Sequence, residues 1–382
     1  MRLERPPFEC IALVLQGGGA LGAYQGGVYQ ALQEADIEPN WVAGISIGAI
    51  NAALIAGNPP EKRVEKLREF WETVTAPNGL GMIDAMQSFW RGDMARSFFN
   101  QLKATGAVLQ GAPGFFEPRV PPPYFHPAGT ADATSYYDTS ELRGTLERLV
   151  DFDYLNANAS KMRFSVGAVN VRSGNFVYFD STDRTIKAEH VMASGALPPG
   201  FPAVEVEGEL YWDGGLISNT PLQWVTTGAQ ERRDTLAFQV DLWSSRGEAP
   251  ADLAEVIMRQ KEIQYSSRTR YNTDSFKRLQ TVRRTLAEAL DKVPPEWLDS
   301  DEGKLLRLFA DRKVYSVVHL IYRSKNYEKQ SKDYEFSALS MQDHWQAGYN
   351  DTVRSLRHPE ALQRPTDRTG VATFDLGVGA RD

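Results

Sequence analysis

The feature that most constrains this chain is a serine between two glycines, placed between an apolar segment and a run of small residues. Residues 41–43 predict a short buried strand, and residues 49–56 predict the helix that follows it. The turn between them is Gly44-Ile45-Ser46-Ile47-Gly48, a G-x-S-x-G pattern. Such a turn needs little volume beside the serine, because the backbone bends tightly and approaches the helix closely. Ser46 is therefore the candidate nucleophile. The other residues of its turn are Gly44, Ile45, Ile47 and Gly48.

A glycine-rich loop lies one strand earlier in the chain. Residues 11–15 are an apolar run typical of a buried parallel strand, and residues 20–35 predict a helix after the loop. Strand, helix and strand within about thirty residues predict a right-handed βαβ unit, whose two turns lie at the same edge of the sheet. The loop is therefore expected beside Ser46. Its residues are Gly17, Gly18, Gly19, Ala20, Leu21 and Gly22.

The backbone N–H groups of this loop, with a helix dipole behind them, favour an anion, and two anions fit. One is the pyrophosphate of a dinucleotide, because the loop also matches G-x-G-x-x-G and is followed by Asp36 and Glu38, where a ribose acceptor would lie. The other is the oxyanion of a tetrahedral acyl intermediate. The second strand favours the oxyanion, since that strand ends in the serine turn and not in an acidic residue. The loop is predicted to be an oxyanion hole.

A nucleophilic serine needs a base within hydrogen-bonding reach, and Asp213-Gly214-Gly215 offers one. The turn follows a predicted strand at residues 210–212 and presents a carboxylate with little obstruction. A plain Asx turn is the alternative interpretation. Burial beside the apolar Trp212 and Leu216 would raise the pKa of Asp213 and make it a better base.

The histidines provide no comparable base. An ordinary α/β-hydrolase has several strands before its serine and a late histidine after its acid, whereas Ser46 follows only the second predicted strand. His319 lies in an apolar strand and His344 on a helix, and both are interpreted as structural. His190 precedes a turn near residues 192–195 and is the one histidine that could lie near the site. The other two are His126 and His358.

These blocks, in this order, resemble the patatin-like phospholipases. The stretch Ala193-Ser194-Gly195-Ala196-Leu197-Pro198, followed by Phe201-Pro202, adds a further match, and the resemblance covers roughly residues 8–240. It implies a three-layer α/β/α fold with a mostly parallel central sheet. It also implies hydrolysis of lipid acyl esters by a Ser46–Asp213 dyad without a histidine, an oxyanion hole in the glycine loop, and Gly214 and Gly215 in the turn of the base. Many members carry Arg or Lys where this chain has Leu21, which bears on head-group preference more than on catalysis.

Three regions follow from this comparison. A patatin-like catalytic domain is expected over residues 8–243, a mainly helical C-terminal region with one strand over 244–360, and a flexible tail over 361–382. The C-terminal region has a basic middle between Arg259 and Arg284, interpreted either as a solvated helix face or as a membrane-binding surface.

Two more stretches carry aromatic residues. Residues 79–109 are predicted to be helical and rich in Met, Phe and Trp, with core packing as the default interpretation. Residues 111–138 interleave prolines with aromatic side chains, so an ordered loop is expected, either covering an acyl pocket or lying on the surface as a linker.

Composition limits the remaining functions. The net charge of -7 argues against nucleic acid as a partner, and the single cysteine, Cys10, excludes an intrachain disulfide and a Cys-based zinc site. No secretory signal and no bilayer-spanning run is found, so a cytoplasmic protein is expected, with peripheral contact to a membrane or lipid body left open. The chemistry requires no metal and no cofactor. The alternatives are an acyltransferase using the same dyad, a nucleotide-binding oxidoreductase, and a catalytically silent protein binding through the basic segment.

Overall fold

The computed structural model describes residues 2–76, 110–228, 232–266, 269–323 and 332–376. Within these ranges nine strands form one mixed sheet, and two more form a short hairpin. The strands of the sheet are β1 (Cys10–Leu15), β2 (Trp41–Gly44), β5 (Arg163–Asn170), β6 (Phe176–Asp180), β7 (Val204–Val206), β8 (Glu209–Asp213), β9 (Thr235–Asp241), β10 (Tyr315–Ile321) and β11 (Val371–Asp375), and the hairpin is β3 (Glu117–Pro118) with β4 (Tyr137–Asp138).

The sheet is parallel through its middle and antiparallel at one side. Strands β11, β10, β9, β1, β2 and β5 lie side by side in that order and run in the same direction. Strands β6 and β8 are antiparallel to β5, and β7 is antiparallel to β8. The central strands are apolar and buried on both faces, as parallel strands covered by helices must be. In this register Leu15, Gly44 and Val240 lie side by side at the edge of the sheet where these parallel strands have their carboxyl ends.

Helices cover both faces of the sheet. They are α1 (Ala23–Glu34), α2 (Ile47–Ala56), α3 (Arg63–Val74), α4 (Ser140–Leu149), α5 (Phe152–Ala157), α6 (Ala188–Ser194), α7 (Leu253–Tyr265), α8 (Thr269–Leu290), α9 (Pro295–Leu298), α10 (Asp301–Phe309) and α11 (Ala338–Ser355). Alternate residues of β1 belong to two core clusters, one shared with α1, α2 and α3 and one shared with Leu222 and Val225. On the second side, Phe276 of α8 packs on Tyr315 of β10. The expected α/β fold with a mostly parallel sheet is confirmed.

The C-terminal region is part of this sheet rather than an appendage. Its strand β10 pairs with β9, as the apolar run there predicts, and its helix α11 packs against α1 with the two backbones in direct contact. A Cβ atom at Gly27 would clash with the carbonyl oxygen of Trp345, and one at Gly348 with that of Tyr24. Glycines at the crossing are therefore what lets the two helices approach.

The expectation of a flexible tail over residues 361–382 is wrong for its middle part. Strand β11 (Val371–Asp375) pairs with β10 in parallel over its whole length, and Val371 is buried. The missed signal is short: five residues, three of them apolar (Val371, Ala372 and Phe374), after a turn at Gly370, whose φ is 67°. The tail beyond residue 376 and the predicted helical stretch at 79–109 lie outside the described residues.

In the described part of the chain, no helix combines the length and the apolar composition that a membrane span requires.

Candidate active site

Ser46 lies in a sharp turn between β2 and α2. Its backbone has φ 56° and ψ −125°. This conformation is unfavourable for any residue other than glycine, and it persists only where the surrounding structure holds it. Here both glycines of the pattern are required, since a Cβ at Gly44 would clash with the carbonyl of Gly48, and one at Gly48 with that of Leu15. The Ser46 N–H donates to both the carbonyl and the hydroxyl oxygen of Ser194, each at 3.1 Å.

Asp213 ends β8 next to this turn. Its side chain is buried, its Oδ1 accepts the Gly215 N–H at 2.6 Å, and both Asp213 and Ser46 line the same cavity. Burial raises the pKa of Asp213 to about 6, although the nearby Ser46 hydroxyl and the Gly215 N–H oppose that rise. The structure thus brings together the two residues of the predicted dyad. Leu216, expected to help bury the carboxyl, is itself 41% exposed.

The turn of Asp213 is close-packed against β5. Asp213 pairs with Ala168 of that strand, and a Cβ at Gly214 would lie 2.6 Å from the carbonyl oxygen of Gly167. A Cβ at Gly215 would lie 3.0 Å from the Asp213 Oδ1 that its own N–H binds. Both glycines predicted in this turn are therefore needed for the carboxylate to reach its position.

The glycine loop lies beside Ser46, as the βαβ argument predicts, but only part of it is open to a ligand. A Cβ at Gly17 would lie 3.0 Å from the Cβ of Ser46. The N–H of Gly17 donates to the carbonyl of Asn219, and the N–H of Ala20 to that of Asp333 at 2.8 Å. Gly18 and Gly19 line the cavity, and among the described residues their N–H groups have no hydrogen-bond partner.

The other end of the loop turns away from the cavity. Leu21 is fully buried and its N–H donates to the carbonyl of Gly18. A Cβ at Gly22 would lie 2.6 Å from the side chain of Ile47. Neither residue lines the cavity, so the predicted oxyanion hole is narrower than the six residues of the loop.

Polar side chains that the sequence did not single out hold the loop in place. The carbonyl of Gly17 accepts from Asn219 Nδ2 and from Trp243 Nε1, both at 3.0 Å. Gln16 Oε1 accepts the N–H groups of Leu242 and Trp243, and Gln16 Nε2 donates to the carbonyl of Tyr265. A glutamine directly after a buried strand was a usable signal, because a buried amide needs partners. The others lie about 200 or more residues away and had none.

An apolar cavity of about 300 Å³ opens onto Ser46 and Asp213. Five aromatic rings form one wall, and neighbouring rings have centroids 5.0 to 6.1 Å apart. These residues are Phe115, Phe116, Tyr137, Phe201 and Phe336. Three of them belong to the proline-rich stretch at 111–138, which supports its interpretation as a cover over a pocket.

The structure also decides between other interpretations of single residues. His190 packs edge-on against Phe179, burial lowers its pKa, and it does not line the cavity. His319 and His344 are buried in β10 and α11, as expected for structural residues. Glu38, the candidate ribose acceptor, forms an ion pair at 2.8 Å with the buried Arg63, which argues against a dinucleotide site.

Three cations of the basic segment have partners within the fold. Arg259 pairs with Glu262, Lys261 pairs with Asp333, and Lys277 donates to Thr373. Across the ranges that the structure describes, no group of three His, Cys, Asp or Glu residues is arranged to hold a metal ion.

Comparison with known proteins agrees with this geometry. The family model described as Patatin-like phospholipase matches residues 13–224. The chain belongs to the patatin-like phospholipase family. A second model, described as Patatin phospholipase, matches residues 263–368.

Individual relatives are distant. A patatin-like phospholipase domain-containing protein of Caenorhabditis elegans is 35% identical over 99 residues, which make up 26% of this chain and only 6% of that protein. VipD of Legionella pneumophila has a TM-score of 0.40 and 16% identity, covering 94% of this chain and 71% of VipD. ExoU in complex with SpcU, from the type III secretion system of Pseudomonas aeruginosa, has a TM-score of 0.27 and 18% identity over 69% of this chain and 50% of that one.

Proposed function

We propose that this patatin-like phospholipase hydrolyses acyl esters of lipids, with Ser46 as nucleophile and Asp213 as base. The observation that carries the proposal is the buried Asp213 carboxyl, with its pKa raised to about 6, in the same cavity as a serine held in a strained turn. A carboxylate of ordinary pKa is a weak base, and desolvation brings its proton affinity closer to what general-base catalysis near neutral pH needs.

The reaction takes two steps. Asp213 accepts the proton of the Ser46 hydroxyl while its oxygen attacks the ester carbonyl, and the tetrahedral oxyanion receives hydrogen bonds from the Gly18 and Gly19 N–H groups. The protonated Asp213 then donates its proton to the departing alcohol, which leaves an acyl-serine. In the second step Asp213 accepts a proton from a water molecule whose oxygen attacks the acyl-serine. When this intermediate breaks down, Asp213 returns the proton to the Ser46 oxygen and the fatty acid leaves.

The aromatic cavity is the proposed acyl site. Its wall carries few polar groups, which suits a hydrocarbon chain and excludes a charged head group. The cavity of about 300 Å³ has room for part of an acyl chain, so we expect kcat/KM to depend on acyl length.

A panel of esters with increasing acyl length tests the mechanism. Ser46→Ala and Asp213→Asn should each lower kcat/KM by about a thousandfold or more, since a serine nucleophile and its base contribute at least that much. Ser173→Ala and Asp153→Asn are matched controls, because both residues are exposed and neither lines the cavity. Activity that survives both substitutions at the site would exclude the dyad.

The same assay separates hydrolysis from acyl transfer. With an alcohol or a lysolipid added, we expect free fatty acid to remain the main product, because water is the acceptor in the proposed second step. Transfer product in excess of free acid would instead assign the dyad to an acyltransferase.

We further propose that the protein contacts the surface of a membrane or lipid body beside the cavity. Val120, Tyr124 and Phe125 are 89%, 78% and 77% exposed. They lie in the proline-rich stretch, which reaches the cavity wall where the Tyr137 N–H donates to the carbonyl of Gly200. Exposed aromatic residues next to an apolar opening favour an interface between water and lipid.

Substituting both aromatic residues by serine tests this contact. The Tyr124→Ser/Phe125→Ser variant should bind phosphatidylcholine vesicles more weakly and lose activity on vesicle lipid, with unchanged activity on a dissolved short-chain ester. Val282→Ser, at an apolar residue of α8 that is 64% exposed, serves as the control. Equal vesicle binding by all three proteins would exclude this surface.

A further inference from the structure

Residues 332–336, here named the C-terminal loop, lie directly on the glycine loop of the candidate active site. The carbonyl of Asp333 accepts the Ala20 N–H at 2.8 Å, and a Cβ at Gly19 would clash with the same oxygen. Gly19 has a φ of 56°, in the region that a glycine enters and leaves easily. A bond to the neighbouring N–H therefore restricts a part of the chain that would otherwise be mobile.

Two ion pairs hold the C-terminal loop against the end of α7. Lys261 Nζ is 2.6 Å from Asp333 Oδ2, and Lys332 Nζ is 2.8 Å from Glu262 Oε1. The Lys332 side chain is only 2% exposed, so its charge is removed from water and depends on its pairing. Because adjacent residues of α7 bind adjacent residues of the loop, the pairs together set one position of the loop backbone.

The same cluster reaches the other end of the glycine loop through Trp243. The Nζ atoms of Lys332 and Lys261 lie 5.1 and 5.9 Å from the centroid of the Trp243 ring, within cation–π range. Trp243 Nε1 donates to the carbonyl of Gly17 at 3.0 Å. The glycine loop is thus held at Gly17 and at Ala20, and the unpartnered N–H groups lie between these two points.

We propose that the C-terminal loop, fixed by the pairs Lys261–Asp333 and Lys332–Glu262, positions the Gly18 and Gly19 N–H groups for the oxyanion. These four side chains are positioning residues, since they act through the backbone of the glycine loop. The proposal rests on the proposed hydrolase function, and it makes the C-terminal region a component of the active site. Oxyanion donors are effective only when they are held rigidly at the position where charge develops.

The Lys261–Asp333 pair allows a test that leaves the Asp333 carbonyl in place. Both side chains are partly exposed, at 31% and 20%, so charge reversal there is compatible with folding. We expect Lys261→Glu and Asp333→Lys each to lower kcat by about 10- to 100-fold, as a displacement of order 1 Å from the reacting geometry does. KM for a dissolved short-chain ester should change less than about threefold, because four of the five rings of the aromatic wall lie outside the C-terminal loop. The Lys261→Glu/Asp333→Lys double variant should recover kcat to within about threefold of the wild type.

A second ion pair supplies the control. Lys313 Nζ lies 2.8 Å from Glu9 Oε2 and both side chains are partly exposed, but neither residue lines the cavity. Lys313→Met should keep the wild-type kcat, whereas Lys261→Met, a milder substitution than reversal, should lose activity. Single variants as active as Lys313→Met, or a kcat loss that the double variant does not reverse, would overturn the proposal. Failure of the hydrolase function itself gives a different result, namely a wild-type protein without esterase activity.

Discussion

Replacing Asp213 by Asn should abolish activity and at the same time stabilise the protein. The Asp213 carboxyl is buried, and its pKa of about 6 means that ionising it in the fold is harder than ionising it in the unfolded chain. Asparagine has nearly the same shape. Its oxygen can accept the Gly215 N–H, and its amide can donate to the Ser46 hydroxyl, so the substitution removes the charge without leaving those groups unpaired.

The magnitude follows from the pKa. A rise from 3.8 to about 6 corresponds to about 3 kcal/mol of folding free energy lost when the carboxyl is ionised in both states. Below pH 4 the carboxyl is protonated in both states, so wild type and variant should be similarly stable. Between pH 4 and 6 the carboxyl is mostly ionised in the unfolded state and mostly protonated in the folded state. The unfolded state therefore binds fewer protons than the folded state, and the wild type loses stability as pH rises. Above pH 6 the full penalty remains, and the variant should be about 3 kcal/mol more stable.

Urea denaturation at several pH values measures this difference. We expect the free energy of unfolding of Asp213→Asn to exceed that of the wild type by about half of the full amount at pH 5, and by nearly all of it at pH 7. Asp153→Asn controls for the loss of one acidic residue, because Asp153 is exposed. A variant less stable than the wild type at pH 7, or a difference that does not change with pH, would refute the desolvation argument.

Further expectations concern rate, specificity and packing. Below pH 6, kcat/KM should fall about tenfold per pH unit as Asp213 is protonated, and a pH-rate profile without a step near 6 would contradict its role as base. Phe336→Ala enlarges the cavity, so the preferred acyl chain should lengthen in the ester panel, with a loss of roughly 3 kcal/mol of stability in urea. Gly27→Ala forces a Cβ onto the Trp345 carbonyl and should cost about 3 kcal/mol, measured by thermal denaturation. Gly144→Ala, in α4 with open space around it, should instead stabilise by about 0.5–1 kcal/mol, and equal effects of the two substitutions would argue against the close helix crossing.

The serine turn and the glycine loop could be predicted because they depend on short stretches of chain. A parallel βαβ unit places both turns at the same sheet edge, and small residues mark where its backbone must bend. In the structure, β1 and β2 begin and end within one residue of the expected positions. Helix α1 ends one residue early and begins three residues late, after a 3₁₀ turn at Gly19–Gly22.

The extent of the proposed oxyanion hole could not be predicted in the same way. Six residues were assigned to it, and the structure leaves free N–H groups only at Gly18 and Gly19 among the described residues of that loop. The Ala20 N–H is not free because it donates to the carbonyl of Asp333, a residue more than 300 positions later in the chain. No local pattern indicates such a contact, because backbone carbonyls have no sequence signature.

The sequence by itself determined the order of the chemical groups: a glycine loop, a serine turn and an acidic turn, each set by local backbone geometry that only certain residues adopt. The tertiary structure decided how far the pKa of Asp213 rises, since that pKa depends on burial by distant segments. It also decided which N–H groups of the glycine loop stay free. It placed strand β11 in the central sheet and the C-terminal loop beside the candidate active site. Those properties arise from desolvation and packing between segments far apart in sequence, which become defined only when the whole sheet has assembled.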